Sequence, residues 1–141
     1  LWAMMQIAPG AHLTGQGLNI KPSDNRDMLI ALGRDPYVIK RTRIDAVHGL
    51  VGLMEAAWQA APEIRLPVHV LYATDDEVVP SGPIARAARA MPGTARTTCF
   101  NDGFHMLLRD LKAERTWNAI EEFARGSPPS SPESCAQGEG G

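Results

Sequence analysis

Charge of one sign is missing from this chain of 141 residues: fourteen Lys and Arg stand against sixteen Asp and Glu, a net charge of −2. A protein that grips nucleic acid or an anionic membrane surface carries a basic patch, and this balance provides none, so no nucleic-acid partner is expected. Cysteine is scarce as well. Cys99 in an apolar run and Cys135 in a polar stretch do not make a disulfide framework. Nor do they make a zinc site, which needs clustered Cys and His ligands. Long hydrophobic runs are also lacking. The first twenty residues hold no Asp, Glu, Lys or Arg, but Pro9, Gly10, Gly15 and Gly17, mixed with His12, Thr14, Gln16 and Asn19, argue against a membrane-spanning helix. No basic residues precede that stretch, as a secretory signal would require, so the expected address is cytoplasmic. The chain starts at Leu1 rather than Met, and its start reads as a truncation.

What is present is globular in composition. Hydrophobic residues make up 44% and charged residues 21%, which excludes global disorder. The length suits one domain. Residues 126–141 depart from that composition, since eleven of these sixteen are Gly, Pro or Ser and none is a large apolar side chain. Such a segment buries too little surface to offset its conformational entropy, and it is expected to be a disordered tail.

Residues 1–62 read as helical with irregular connections. Ser23 and Asp24 precede a short helix over 25–32 and Gly33 follows it, the pattern of an N-cap and a C-cap glycine. Asp35-Pro36 opens a further segment with Tyr37, Val38 and Ile39 as its apolar part. A longer helix is predicted over about 45–60, with Val47, Leu50, Val51, Met54 and Trp58 along one stripe. From Ile64 the pattern changes. Pro67 opens a β-rich run over 68–72, nearly continuous in apolar residues, which suits a strand buried on both faces of a parallel sheet. Ser81 reads as the N-cap of a helix through Ile84, Ala87, Ala88 and Met91, stopped by Pro92-Gly93. A second strand is predicted over 96–100, a turn at Asn101-Asp102-Gly103, and a last helix over about 112–124. Strand, helix, strand, helix implies an α/β layer.

In a parallel sheet of this kind, functional residues gather just past the carboxyl ends of the strands. Asp75 and Asp76 follow the first strand, and His105 follows the second after a short turn. A carboxylate that holds one imidazole N–H and stabilises the imidazolium makes the ring an oriented general base. Other roles are open at this point. An Asp after a strand is often a turn or capping residue, a lone His in a loop is often structural, and paired Asp residues can hold Mg²⁺.

The stretch LPVHVLYATDDEVVPSGPIARAARAMPGTARTTCFNDGFHMLLRD resembles the C-terminal part of the α/β-hydrolase fold. The branch it is most similar to is the lysophospholipase, monoacylglycerol lipase and serine-aminopeptidase-like group. In that group a G-x-x-D-x-V-V-P-like element carries the triad acid and a G-x-x-H-like or G-x-H-like element carries the triad histidine. Asp76, two positions before Val78-Val79-Pro80, matches the acid, and His105 in Asp102-Gly103-Phe104-His105 matches the base, 29 residues later. Asp75 is the alternative in a shifted register, and Ala73 stands where the family often has Gly. Residues 1–62, with SDN…ALGRDPYVIKRTRIDAVHGLVGLMEAAW, are similar to the later part of a helical cap over an acyl site.

The resemblance therefore implies a cap (lid) segment over 1–62, the C-terminal part of an α/β-hydrolase core over 63–125, and the tail over 126–141. It implies a small-molecule acyl ester as substrate, lysophospholipid or monoacylglycerol, and no cofactor. The family's nucleophile is a Ser on a strained turn, G-x-S-x-G, earlier in the chain than the acid and base. No such motif is present. Among the serines only Ser23 precedes Asp76, and it lacks flanking glycines. The expectation is a serine hydrolase whose Ser is not in this chain, so that the chain alone is inactive. The competing readings are a non-catalytic α/β interaction module and a different α/β-hydrolase chemistry, such as that of a peptidase, epoxide hydrolase or dehalogenase.

Overall fold

The computed structural model describes residues 2–14, 18–93 and 95–127. The chain runs through α1 (Trp2–Ile7), β1 (His12–Thr14), α2 (Arg26–Arg34), β2 (Arg41–Arg43) and α3 (Ile44–Ala60), then a 3-10 turn over Ala61–Glu63. It continues as β3 (Val68–Ala73), α4 (Ser81–Ala90), β4 (Ala95–Phe100) and α5 (Ala113–Ala124). β3 and β4 pair in parallel from Val68↔Ala95 to Ala73↔Phe100. A parallel pair needs a crossover connection, which α4 supplies. The carboxyl ends of both strands therefore lie side by side. Around them sits a small core that includes Ala73, Cys99, Phe100 and Ala113.

Local chemistry explains where the helices begin and end. In α2 the Asn25 side chain accepts from the Met28 N–H, Asp27 lies in the first turn and Arg34 in the last, so both ends complement the helix dipole. α4 carries Pro83 in its first turn, where a missing N–H leaves no bond unmade. α5 ends on Gly126, at φ 71°, a left-handed position that glycine takes without strain. The Gly126 N–H donates to Phe123 O at 3.0 Å and the Ser127 N–H to Glu122 O at 2.9 Å, which completes a Schellman motif. Gly126 and Ser127 open the stretch expected to be tail, and residues 128–141 lie outside the described residues.

Several local expectations are corrected. The cap of α2 is Asn25 rather than Ser23 or Asp24, and Gly33 lies inside the helix. Ser81 is the first residue of α4, with Pro80 at the N-cap. Asp35 Oδ1 accepts from the Tyr37 N–H at 2.8 Å, so the segment after Pro36 is a turn that leaves Tyr37 and Ile39 exposed. The three-residue antiparallel pair β1–β2 was not anticipated. Its residues are exposed throughout and show no alternation of apolar and polar side chains. The stripe of α3 forms as predicted, but Leu50, Val51, Met54 and Trp58 along it are all exposed. β3 is only half-buried along most of its length, having β4 as its one strand neighbour among the described residues.

Candidate active site

The loops after β3 and β4 are joined beyond the end of the strand ladder. The Thr74 N–H donates to Phe100 O at 3.1 Å and the Asp75 N–H to Gly103 O at 3.1 Å. The Thr74 hydroxyl donates to Asn101 O. These bonds extend the parallel pairing and carry Asp76 and His105 to the same edge. Gly103 allows the close approach. A Cβ there would lie 3.0 Å from Ala73 Cβ and 3.1 Å from Phe100 Cβ, tighter than most side-chain contacts.

Asp76 divides its two oxygens between two tasks. Oδ1 accepts from the Val78 and Val79 N–H groups, both at 2.8 Å, which fixes the carboxylate against its own loop. Oδ2 lies 3.0 Å from His105 Nδ1. Burial pushes the Asp76 pKa up, but the Val79 N–H, the His105 ring and the Val78 N–H outweigh it, and the net shift is below the ordinary carboxylate value. An ionised carboxylate only accepts, so the His105 Nδ1–H is the donor. This leaves Nε2 as the second nitrogen of a half-exposed ring, whose side chain is 39% accessible against 10% for Asp76.

Asp76, not Asp75, meets the imidazole. The Asp75 carboxylate lies 3.1 Å from the Thr74 hydroxyl, within its own turn. Ser23, the serine upstream of Asp76, is 1% exposed, and its Oγ donates to Asp110 Oδ1 at 2.6 Å. A hydroxyl so buried and so committed is not a nucleophile. His12 and His48 lie on β1 and α3, outside the two loops. Sequence reasoning missed Ser23 and Asp110 as a pair, because 87 residues separate them. Among the described residues no three His, Cys, Asp or Glu side chains gather as a metal ion would require. No helix among them is long and apolar enough to cross a membrane.

His69, on β3, is a different kind of histidine. Its Nε2 lies 2.9 Å from Thr98 Oγ1, and its ring is tilted against Phe123 of α5 at 5.1 Å. Nδ1 is buried with no hydrogen-bond partner among the described residues. Burial, and then the positive charge of Arg96, hold its pKa below the usual 6.5, against a smaller opposing pull from Glu122. The folded state therefore keeps this ring neutral where the unfolded chain protonates it. Below about pH 6.5 the unfolded state binds more protons, so stability should fall as pH falls and be flat above. Urea midpoints between pH 7.5 and 5.5 test this, with His69→Gln expected to flatten part of the slope. An unchanged slope would contradict it.

Residues 1–112 match the family described as Serine aminopeptidase, S33. The chain is similar to the crystal structure of a monoacylglycerol lipase from Paleococcus ferrophilus, with 24% identity and a TM-score of 0.75 over 86% of this chain and 48% of that one. It is also similar to a soluble variant of monoglyceride lipase from Saccharomyces cerevisiae in complex with a substrate analog. Identity there is 14% and the TM-score 0.73, over 88% of this chain and 46% of that one. The chain thus spans about half the length of the solved structures it matches. No curated protein matches it.

Proposed function

The chain belongs to the Serine aminopeptidase, S33, family of α/β-hydrolases, and on that premise we propose that it supplies the acid and base of a serine hydrolase acting on carboxylic esters. The observation that carries this reading is the 3.0 Å contact between His105 Nδ1 and Asp76 Oδ2 at the carboxyl edge of a parallel sheet. Asp76 fixes the Nδ1–H tautomer and stabilises the imidazolium. Nε2, then unprotonated, takes the proton of a serine hydroxyl as Ser Oγ bonds to the ester carbonyl carbon. The imidazolium gives that proton to the departing alcohol as the C–O bond breaks. His105 next draws a proton from water, which attacks the acyl-enzyme and releases the carboxylic acid and the serine. Residues 1–62 act as the later part of a helical cap, and 63–125 as the C-terminal part of the hydrolase core.

Monoacylglycerol, with lysophospholipid beside it, is the proposed substrate class, because the two solved structures named above are monoacylglycerol lipases. Peptide hydrolysis is the second reading, favoured by the family's own description. The serine is outside this chain, which carries no G-x-S-x-G. A fluorophosphonate probe should therefore leave the isolated chain unlabelled and label a protein in which a G-x-S-x-G half-domain precedes it. Labelling of the isolated chain would overturn the assignment. In the larger protein, monoacylglycerol and amino-acyl arylamide assayed side by side separate esterase from peptidase.

A further inference from the structure

The pair described above does not hold itself in place. A strap of five residues, 21–25, crosses both loops that carry it. On the Asp76 side, the Lys21 N–H donates to the carboxylate of Glu77 at 2.7 Å. On the His105 side, the Lys21 ammonium sits 4.4 Å from the Phe104 ring centroid, and Pro22 O accepts from the Met106 N–H at 3.0 Å. Asp24 Oδ1 accepts from the Leu111 N–H at 2.8 Å, and the Asn25 side-chain amide donates to Arg109 O at 2.9 Å.

Ser23 and Asp110 form the buried centre of this strap. The Ser23 hydroxyl donates to Asp110 Oδ1 at 2.6 Å and accepts from the Asn25 N–H at 3.2 Å. Asp110 Oδ2 accepts from the Phe104 N–H at 3.0 Å. Ser23 is 1% exposed and Asp110 7%, so water does not replace these bonds readily. The peptide N–H groups on both flanks of His105, those of Phe104 and Met106, are thus held by Asp110 and by the strap. The imidazole itself is half-exposed and has no such enclosure of its own.

We infer that Ser23 and Asp110 are positioning residues for His105: through the Phe104 N–H they fix the backbone from which the imidazole reaches Asp76. This rests on the proposed acid and base roles and adds a role for two residues outside that pair. Displacement of a catalytic group by about 1 Å costs on the order of 100-fold in rate, and a ring on an unsupported loop is free to move that far. In the larger, nucleophile-bearing protein, Ser23→Ala and Asp110→Ala should lower kcat about 10- to 100-fold. KM should stay within about twofold, because both side chains are buried and present no surface to a substrate.

A merely structural role would not act on the ring itself, so the deciding readout is the ¹⁵N NMR signature of the His105 imidazole in the full 141-residue chain. In the unsubstituted chain the proton is expected on Nδ1. Ser23→Ala and Asp110→Ala should raise the share of the Nε2–H form. Asp110→Ala removes the acceptor of the Phe104 N–H, and Ser23→Ala covers the case in which the Asp110 variant does not fold. Unchanged His105 signals in the folded variants, with kcat intact, would overturn the inference while leaving the Asp76–His105 reading standing. If Asp76→Asn too left the His105 signals and the hydrolysis unchanged, both would fall together.

Discussion

Asp76→Asn, in a protein that joins this chain to its nucleophile, is expected to lower ester hydrolysis about 10⁴-fold. The geometry gives the reason. Asp76 Oδ1 is held by the Val78 and Val79 N–H groups, so an asparagine keeps its carbonyl oxygen on that side and turns its NH₂ toward His105. The ring must then accept at Nδ1 and carry its proton on Nε2, the nitrogen that has to be empty to receive the proton of a serine. The substitution thus leaves the shape intact and reverses the tautomer. His105→Ala removes the base outright and should be at least as damaging. Initial rates on a short-chain ester, with urea midpoints to show that both variants fold, check this. Hydrolysis near the unsubstituted level in either variant would remove that residue from the site.

Gly103→Ala is the second large effect, and it acts through packing rather than chemistry. The added Cβ would lie 2.6 Å from the end of the Leu107 side chain, which has some freedom to move. Ala73 Cβ at 3.0 Å and Phe100 Cβ at 3.1 Å do not, since both belong to the buried ends of paired strands. The turn must lift away, which strains the Asp75 N–H bond to Gly103 O and carries His105 off with it. Overpacking of this kind costs about 1–3 kcal/mol. Chemical denaturation should show that loss, and the His105 ¹⁵N signals should lose the Asp76-bonded form. A variant as stable as the parent, with those signals unmoved, would contradict the argument.

Between these two predictions lies the division between what could be read along the chain and what could not. The elements of the second half were legible to within a residue or so, because each is set by its own neighbourhood. Pro67 opens a β-rich run, Pro92-Gly93 stops an alanine-rich helix, and Asn101-Asp102-Gly103 turns the chain. The α/β layer expected from them, and the α/β-hydrolase fold that the resemblance implies, agree with the fold found, and Asp76 and His105 lie just past the ends of its strands.

The first half was less legible for two physical reasons. β1 and β2 are three exposed residues each, with Arg41, Thr42 and Arg43 making the second, and no periodicity marks so short a polar ladder. At 23–25 the sequence offers three capping side chains in a row, and local rules rank Ser, Asp and Asn nearly alike. Asn25 caps α2 because Ser23 and Asp24 are engaged elsewhere, by Asp110 and by the Leu111 N–H, each 87 residues away. The stripe of α3 shows the same limit from the other side. Its spacing specifies a helix correctly, but what covers a helical face is a property of neighbours, not of spacing.

The amino-acid sequence by itself therefore determined the secondary elements of the second half and their parallel α/β class, since these follow from turn chemistry and periodicity over a few residues. Only the tertiary structure decided which of two adjacent aspartates faces the histidine, that Ser23 is a buried strut and not a nucleophile, and that Gly103 is a point of closest approach. Each of those depends on contacts between segments far apart in the chain, whose geometry exists only once the strands are paired and the strap is laid across their ends.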